Sequence, residues 1–338
     1  MKTKYRRSSL TNKPKLLTFA RKSIMAEIGK DIGLAKSLLE QGELVAVPTE
    51  TVYGLAGNAT DPDSVLKIFT TKERPSFDPL IIHTHSIEQV SEYVVEIPEK
   101  ARILAERFWP GPLTLLLPKK EIIPDIVTSG LSTVAVRIPN HPLSLELLQT
   151  LDFPLAAPSA NPFGYISPTT ATHVNKQLGD KIKYILDGGE CTIGIESTII
   201  GFENNQPIIH RLGGMSVEKL ETIVGRISVN DYSSSNPKAP GMLKNHYSPR
   251  KKIVLGDIEK LLNEYKNTAV LSFQTDYGID EQVILSRSGD LDEAAKNLFG
   301  SLRKLDDMQC ESIIAELAPN HGLGRAINDR LKRAAAEK

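Results

Sequence analysis

Several common signatures are missing from this 338-residue chain. It has only two cysteines, Cys191 and Cys310, too few for a disulfide framework or a zinc cluster, so we expect a reducing compartment. No apolar run approaches the length of a membrane span. The motifs G-x-x-x-x-G-K-[ST], G-x-S-x-G and H-E-x-x-H are all absent, which excludes a P-loop and the two commonest hydrolase signatures.

The formal net charge is also zero, but the charge is distributed unequally between two parts of the chain. Residues 1–24 hold eight basic residues and no acid, leaving 33 basic against 41 acidic residues in 25–338, or −8. An acidic body argues against tight, salt-sensitive nucleic-acid binding. The basic segment could be a transit peptide, an RNA-touching tail, a disordered extension or a start codon assigned too early. We favour the last two readings, because helical periodicity begins only after Met25.

Apolar periodicity predicts a mixed α/β protein with two domains. We expect a helix over 28–39, a strand at 44–47, and a helix capped by Asp61 with Pro62 in its first turn. Further strands are predicted at 80–83, 113–117, 133–138, 155–157, 182–186, 197–201 and 208–211, with helices near 99–108, 142–150, 169–178 and 216–224. Beyond a polar stretch, strands at 253–255, 269–273 and 312–317, with helices to 265, near 292–305 and from 324, predict a small βαβ-type domain.

Two short segments could bind an anion. Lys72–Pro75 places two cations one residue apart after a helical run, and Pro158–Asn161 offers a hydroxyl and an amide in a proline-bounded turn, with Ser167 close behind. Such groups supply charge-assisted hydrogen bonds to phosphate or carboxylate. The alternative for Lys72 and Arg74 is a solvated helix end, where cations suit the dipole.

Two arginines within predicted strands strengthen the case for an anionic ligand. Arg137 and Arg211 both lie in apolar runs, and a buried arginine needs an anion to pair with. The loop after the first strand, 48–55, is either a simple turn or a hydroxyl-lined binding loop. Cys191 is interpreted as a packing residue, and the His83–His85 pair is a weak metal signal because a histidine at a strand end more often has a structural role than a ligand role.

Together these motifs resemble the YrdC-like threonylcarbamoyl-AMP synthase family in its long, two-domain form. The motifs that carry the resemblance are, in chain order, Pro48–Leu55, Lys72-x-Arg74-Pro75 with Asp78-Pro79-Leu80, Val136–Pro139, Pro158–Asn161 with Ser167-Pro168-Thr169, Glu196-Ser197-Thr198, Arg211, Pro240-Gly241-Met242 with His246–Pro249, and Gly322-Leu323-Gly324 with Arg330-Leu331. The resemblance covers roughly residues 26–338.

The family resemblance implies a fold and a domain division. It implies a twisted, open α/β sheet with a concave basic face, followed by a smaller Rossmann-like α/β domain. The expected division is a disordered basic extension (1–24), a YrdC-like catalytic domain (25–227), a linker that acts as a lid (228–249) and the Rossmann-like domain (250–338).

The implied activity is synthesis of threonylcarbamoyl-adenylate and pyrophosphate from L-threonine, bicarbonate or CO2, and ATP, with Mg²⁺ accompanying ATP. A separate threonylcarbamoyl transferase machinery would use the product to modify tRNA beside the anticodon. We expect a cytoplasmic enzyme with no membrane partner and weak or absent direct tRNA binding. The competing hypotheses are a non-catalytic RNA-binding module and a carbamoyl-adenylate-forming domain of the hydrogenase-maturation type.

Carried over position by position, the resemblance implies two sets of binding residues. The threonine set is Thr51, His83, Arg137, the backbone at Ala157, and Ser197. The nucleotide set is Lys72, Arg74, Asp78, Thr133, Ser159, Asn161, Ser167, Arg211 and Tyr247, with Lys72 and Arg74 as the catalytic pair and no protein ligand assigned to a metal.

Two residues depart from the pattern that the resemblance implies. Family members commonly have Gly at the position of Glu73 and Asn at that of Asp78. Both acids would add negative charge near the phosphate site, and Asp78 could instead hold magnesium or hydrogen-bond the nucleotide.

Overall fold

A computed structural model describes residues 25–230 and 247–336. In these ranges the helices are α1 Ile32–Glu40, α2 Pro62–Lys72, α3 Ile87–Tyr93, α4 Glu99–Phe108, α5 Asp125–Thr128, α6 Pro142–Gln149, α7 Ala171–Leu178, α8 Val217–Val224, α9 Ile258–Glu264, α10 Leu291–Asp307 and α11 Gly324–Ala334. The strands are β1 Glu27–Gly29, β2 Val45–Val47, β3 Gly54–Asn58, β4 Ile81–His83, β5 Leu113–Pro118, β6 Thr133–Arg137, β7 Leu155–Ala156, β8 Tyr184–Leu186, β9 Thr198–Glu203, β10 Gln206–Arg211, β11 Ser228–Val229, β12 Lys252–Leu255, β13 Thr268–Ser272, β14 Gln282–Ile284 and β15 Ser312–Ala315.

The strands form two sheets. The described part of the chain builds a mixed sheet in the order β1-β8-β2-β3-β7-β4-β6-β5-β9-β10-β11, and a second sheet, β12-β15-β13-β14, whose pairings are all parallel. A parallel sheet with helical crossovers is the βαβ layering predicted for the C-terminal part. The prediction of a mixed α/β fold with a second α/β domain is confirmed.

Strict alternation along the strands of the large sheet separates its two faces. Leu115, Val134 and Val136 point into the main core, whereas Leu116 and Ala135 belong to a small cluster on the other face. Arg137 shares the parity of Ala135, and His83 that of Ile81, so both side chains lie on this second face. Helices α1 and α6 cover the second face beside β2, β3, β7 and β8, where a separate apolar cluster forms.

The predicted elements differ from the structure in two places that affect function. Ile28 lies in strand β1 rather than in a helix, because Asp31 caps α1 and starts the helix only at Ile32. The predicted linker starts with β11, which pairs with β10 and therefore belongs to the large sheet. The segment Pro240–Met242 and His246 lie outside the described residues.

Candidate functional site

A cavity with about 550 Å³ of empty space opens on the second face of the large sheet. The lining residues come from the loop after β2 and the start of β3, from the loop after α2, and from β4 and β6. The others follow β7, precede β9, end β10 or lie in the segment at Tyr247. They are Thr49, Thr51, Val52, Gly54, Arg74, Pro79, Leu80, Ile81, His83, Arg137, Ala157, Pro158, Ser159, Glu196, Ser197, Arg211 and Tyr247.

All five residues of the predicted threonine set line this cavity: Thr51, His83, Arg137, Ala157 and Ser197. Arg137 ends strand β6 and is 4% exposed. Its Nε donates to the carbonyl of Gly111 at 3.1 Å, and its Nη1 donates to Thr51 Oγ1 at 2.8 Å. A guanidinium has five N–H donors, so these bonds hold the group in place and leave donors for a carboxylate in the cavity.

The anion that pairs with Arg137 belongs to the protein. Glu50 Oε2 lies 2.7 Å from Arg137 Nη2, and both side chains are buried. The burial of Arg137 therefore does not by itself require a ligand, contrary to the sequence argument. Glu50 follows Thr49 in the loop after β2 but does not line the cavity, so it supports Arg137 from behind.

His83 contributes a neutral imidazole to the cavity. Burial, followed by the neighbouring charge of Arg137, lowers the pKa of His83 to about 3. An imidazole with this pKa is uncharged at neutral pH and can offer a hydrogen bond without adding to the positive charge of Arg137.

Four residues of the predicted nucleotide set also line the cavity: Arg74, Ser159, Arg211 and Tyr247. Arg74 forms an ion pair with Asp78 at 2.8 Å and donates to the carbonyls of Asp78 and Pro79. Arg211 donates twice to the carbonyl of Ser197, at 3.0 and 3.1 Å, and once to its hydroxyl. Together with Arg137, the cavity therefore presents three cations that are held by protein oxygens.

Lys72 lies behind the cavity wall rather than on it. It ends helix α2, is 1% exposed, and donates from Nζ to the carbonyls of Ser159 and, at 2.5 Å, Asn161. Burial and the nearby Arg74 lower the pKa of Lys72. Lys72 thus stabilises the Pro158–Asn161 turn. Its contact with ATP and its catalytic role remain predictions.

Asn161 and Ser167 likewise support the wall without lining it. Asn161 donates to the carbonyls of Pro162 and Tyr165, which closes its turn. Ser167 donates to Glu196 Oε1 at 2.6 Å.

The two acids that depart from the family pattern have separate positions. Asp78 is fully buried as the counter-ion of Arg74. Glu73 is exposed and pairs with Lys181 at 2.9 Å, away from the cavity. Its φ of 56° places it in the left-handed region at the end of α2, the conformation that glycine adopts at least cost.

Thr133 lies apart from the other predicted residues, at a second, more open cavity with about 1440 Å³ of empty space. It starts β6, four residues before Arg137, and shares its face of the sheet. Between the two cavities the floor is apolar, formed by Ile81, Leu116, Ala135 and Ile199.

Sequence reasoning missed two carboxylates of this site. Glu196 lines the cavity and accepts from Ser167, and Glu50 holds Arg137. Glu196 directly precedes Ser197, and Glu50 directly precedes Thr51. This adjacency to predicted site residues was the signal in the sequence that could have identified them. Among residues 25–230 and 247–336, no group of three or more His, Cys, Asp or Glu side chains is placed to hold a metal ion.

Two family models match the chain. The Sua5/YciO/YrdC model, described as telomere recombination, matches residues 37–213, and the model of the threonylcarbamoyl-AMP synthase C-terminal domain matches residues 215–336. The chain belongs to the Sua5/YciO/YrdC family. The second match gives it the long, two-domain form, as the sequence motifs indicated.

The relatives of this family member include proteins named threonylcarbamoyl-AMP synthase. The one from Pyrococcus abyssi is 42% identical over 320 residues, covering 90% of this chain and 93% of the relative. The one from Bacillus subtilis is 41% identical over 90% of this chain and 92% of the relative. A crystal structure of P. abyssi Sua5 complexed with L-threonine superposes with a TM-score of 0.87 at 41% identity, covering 92% of this chain and 97% of that one.

Within the described residues, no helix combines the length and the apolar character needed to span a bilayer.

Proposed function

We propose that this member of the Sua5/YciO/YrdC family is a threonylcarbamoyl-AMP synthase, which makes threonylcarbamoyl-adenylate and pyrophosphate from L-threonine, bicarbonate or CO2, and ATP. The observation that carries the proposal is the single cavity that joins the whole predicted threonine set to Arg74 and Arg211. Relatives that cover nearly the whole chain share the activity by name, and one superposable relative binds L-threonine.

Threonine would bind at the Arg137 end of the cavity. Its carboxylate would accept from the guanidinium donors that Gly111, Thr51 and Glu50 leave available. Ser197, the Ala157 backbone and neutral His83 offer further hydrogen bonds around the same end. The uncharged His83 does not compete with Arg137 for the carboxylate or repel the threonine ammonium.

ATP would bind with its phosphates beside Arg74, Ser159 and Arg211. Three cations suit a site where a triphosphate, a carboxylate and bicarbonate must meet. The adenosine would extend over the apolar floor toward Thr133, since Thr133 and Arg137 share one face of β6. Mg²⁺ enters with the phosphates of ATP as part of this substrate.

The chemistry then needs two steps. The threonine amine, as free base, attacks CO2 to form a carbamate with release of one proton. From bicarbonate the same carbamate forms with loss of one water molecule and no net release of a proton. A carbamate oxygen next attacks the α-phosphorus, the bond to the β-phosphate oxygen breaks, and pyrophosphate leaves. Such a transfer depends on alignment and charge stabilisation, so it requires no protein nucleophile.

Tyr247 supports a covering role for the segment before the C-terminal domain. Its side chain is 1% exposed and lines the cavity, and the next residue, Ser248, donates its N–H to the carbonyl of Gly164 at 2.8 Å. We expect this segment to exclude water from an adenylate that hydrolyses readily. The product would pass in the cytoplasm to a transferase that modifies tRNA, with little direct tRNA binding by this chain.

Pyrophosphate release tests the proposal. The protein is incubated with ATP, Mg²⁺ and bicarbonate, with L-threonine, with L-valine as an isosteric control, or with no amino acid. Release that requires L-threonine supports the proposal, and release at the same rate in all three mixtures refutes it.

A further inference from the structure

One buried arginine of the C-terminal domain reaches the wall of the catalytic cavity. Arg330, on α11, is 0% exposed. Its Nε donates to Glu196 Oε2 at 2.9 Å and its Nη2 donates to the carbonyl of Leu212 at 2.8 Å. Both partners belong to the domain of the large sheet, so the guanidinium joins the two domains beside the site.

Glu196 is the residue through which this contact reaches the cavity. Its Oε2 accepts from Arg330, its Oε1 accepts from Ser167 at 2.6 Å, and the residue itself lines the cavity. A carboxylate held from both sides has one orientation, and Glu196 immediately precedes Ser197, whose oxygens hold Arg211.

The same arginine also holds Tyr247. The Arg330 guanidinium carbon lies 4.9 Å from the centre of the Tyr247 ring, a cation–π distance. Phe299, on α10, stacks on this ring with centroids 5.5 Å apart. Two residues of the C-terminal domain therefore fix a side chain that lines the cavity.

Arg330 is not the main attachment between the domains. Arg325, on the same helix, pairs with Glu218 at 3.0 Å, and Tyr165 donates to Asp306 at 2.7 Å. Arg303 donates to the carbonyls of Ile166 and Ser167. These contacts, with an apolar cluster that spans both domains, hold the domains together, whereas Arg330 differs in that two of its partners line the cavity.

We propose that Arg330 is a positioning residue for the ATP side of the site, acting through Glu196 and Tyr247. The inference rests on the proposed synthase function, because the ATP side is defined by it. It assigns the C-terminal domain a part in catalysis: the domain supplies the contacts that orient the wall near Arg211.

The test compares two arginines of α11 by steady-state kinetics of threonine-dependent pyrophosphate release. Arg330→Gln should raise the KM for ATP at least tenfold and leave the KM for threonine within twofold. Arg330→Lys, which keeps a charge beside Glu196, should recover part of the loss. The matched control Arg325→Gln removes a partly exposed pair between the same domains, whose members do not line the cavity, and should leave both constants within twofold.

Thermal unfolding of each variant shows whether it is folded, and if Arg330→Gln is not, Arg330→Lys and Glu196→Gln decide. Unchanged constants in the folded variants overturn the inference, as does an equal rise for both substrates, which indicates a general structural role. If the wild-type protein shows no threonine-dependent release, the proposed function fails instead. ATP binding by calorimetry then tests Arg330 independently, and equal affinities for wild type and variant overturn the inference.

Discussion

The buried pair of Arg137 and Glu50 allows stability and substrate binding to be separated in one set of variants. Both side chains are buried, and their charged atoms lie 2.7 Å apart. Arg137→Gln leaves the Glu50 carboxylate without its counter-ion, and removing one partner of a buried pair costs about 3–5 kcal/mol. Adding Glu50→Gln removes the stranded charge, so the double variant should regain about 2–3 kcal/mol.

Threonine binding should respond differently, because only Arg137 lines the cavity. Loss of charge-assisted hydrogen bonds worth about 1.5–3 kcal/mol raises the threonine KM roughly tenfold to hundredfold. This rise should persist in the double variant, although its stability has largely recovered.

Urea unfolding measures the stability, and the threonine dependence of pyrophosphate release measures the KM. Arg287→Gln is the matched control: Arg287 pairs with Asp276 at 3.1 Å and both side chains are exposed, so its loss should cost about 1 kcal/mol or less. If Arg137→Gln is no less stable than this control, or if adding Glu50→Gln restores the threonine KM, Arg137 does not hold both roles.

Three further predictions concern the residues around the site. Glu73→Gly should stabilise the protein by about 1 kcal/mol in urea unfolding, because φ at this position is 56° and glycine adopts that conformation without steric cost. Glu73→Ala keeps a β-carbon and should not stabilise the protein. Equal effects of the two substitutions would contradict this explanation. Lys72→Met should lower the free energy of unfolding by about 1–3 kcal/mol, because the Ser159 and Asn161 carbonyls lose their donor. Lys67 is exposed on the same helix, and Lys67→Met should cost less than about 0.5 kcal/mol. Similar losses in the two variants would contradict the structural role of Lys72. Because the unfolded chain protonates His83 near pH 6.5 and the folded chain only near pH 3, the free energy of unfolding should fall as pH falls through this window. His83→Gln should lessen the fall by up to about 1.4 kcal/mol per pH unit, and an unchanged slope would disprove the assignment.

Local sequence signals predicted the elements that position the site. Asp61 with Pro62 located the start of α2, and the apolar run before Arg137 located β6, because capping and burial act over a few residues. The same local signals were wrong for Ile28, where strand pairing with β8 outweighs helical spacing. Pairing with a strand that is distant in sequence cannot be detected from the local spacing of apolar residues.

The composition of the site was predictable only in part. The cavity is lined by residues whose types indicate anion binding, such as Arg74 and Arg137. Which acids pair with them, Asp78 and Glu50, is decided by three-dimensional packing and could not be predicted from the sequence. The sequence suggested that Glu73 and Asp78 would both add negative charge near the phosphates. It did not indicate that Glu73 is exposed and away from the cavity whereas Asp78 is buried against Arg74. Likewise, no spacing in the chain indicates that Arg330 meets Glu196, 134 residues away.

The proposed synthase must join the carbon of bicarbonate to both threonine and AMP in this cavity. The most direct measurement is incubation with 14C-bicarbonate, ATP, Mg²⁺ and L-threonine, followed by rapid separation of the products. The proposed function predicts a labelled product containing both threonine and AMP, formed in equal amount with pyrophosphate and absent when threonine is omitted. Pyrophosphate released without incorporation of the label, or a labelled adenylate formed without threonine, would contradict it.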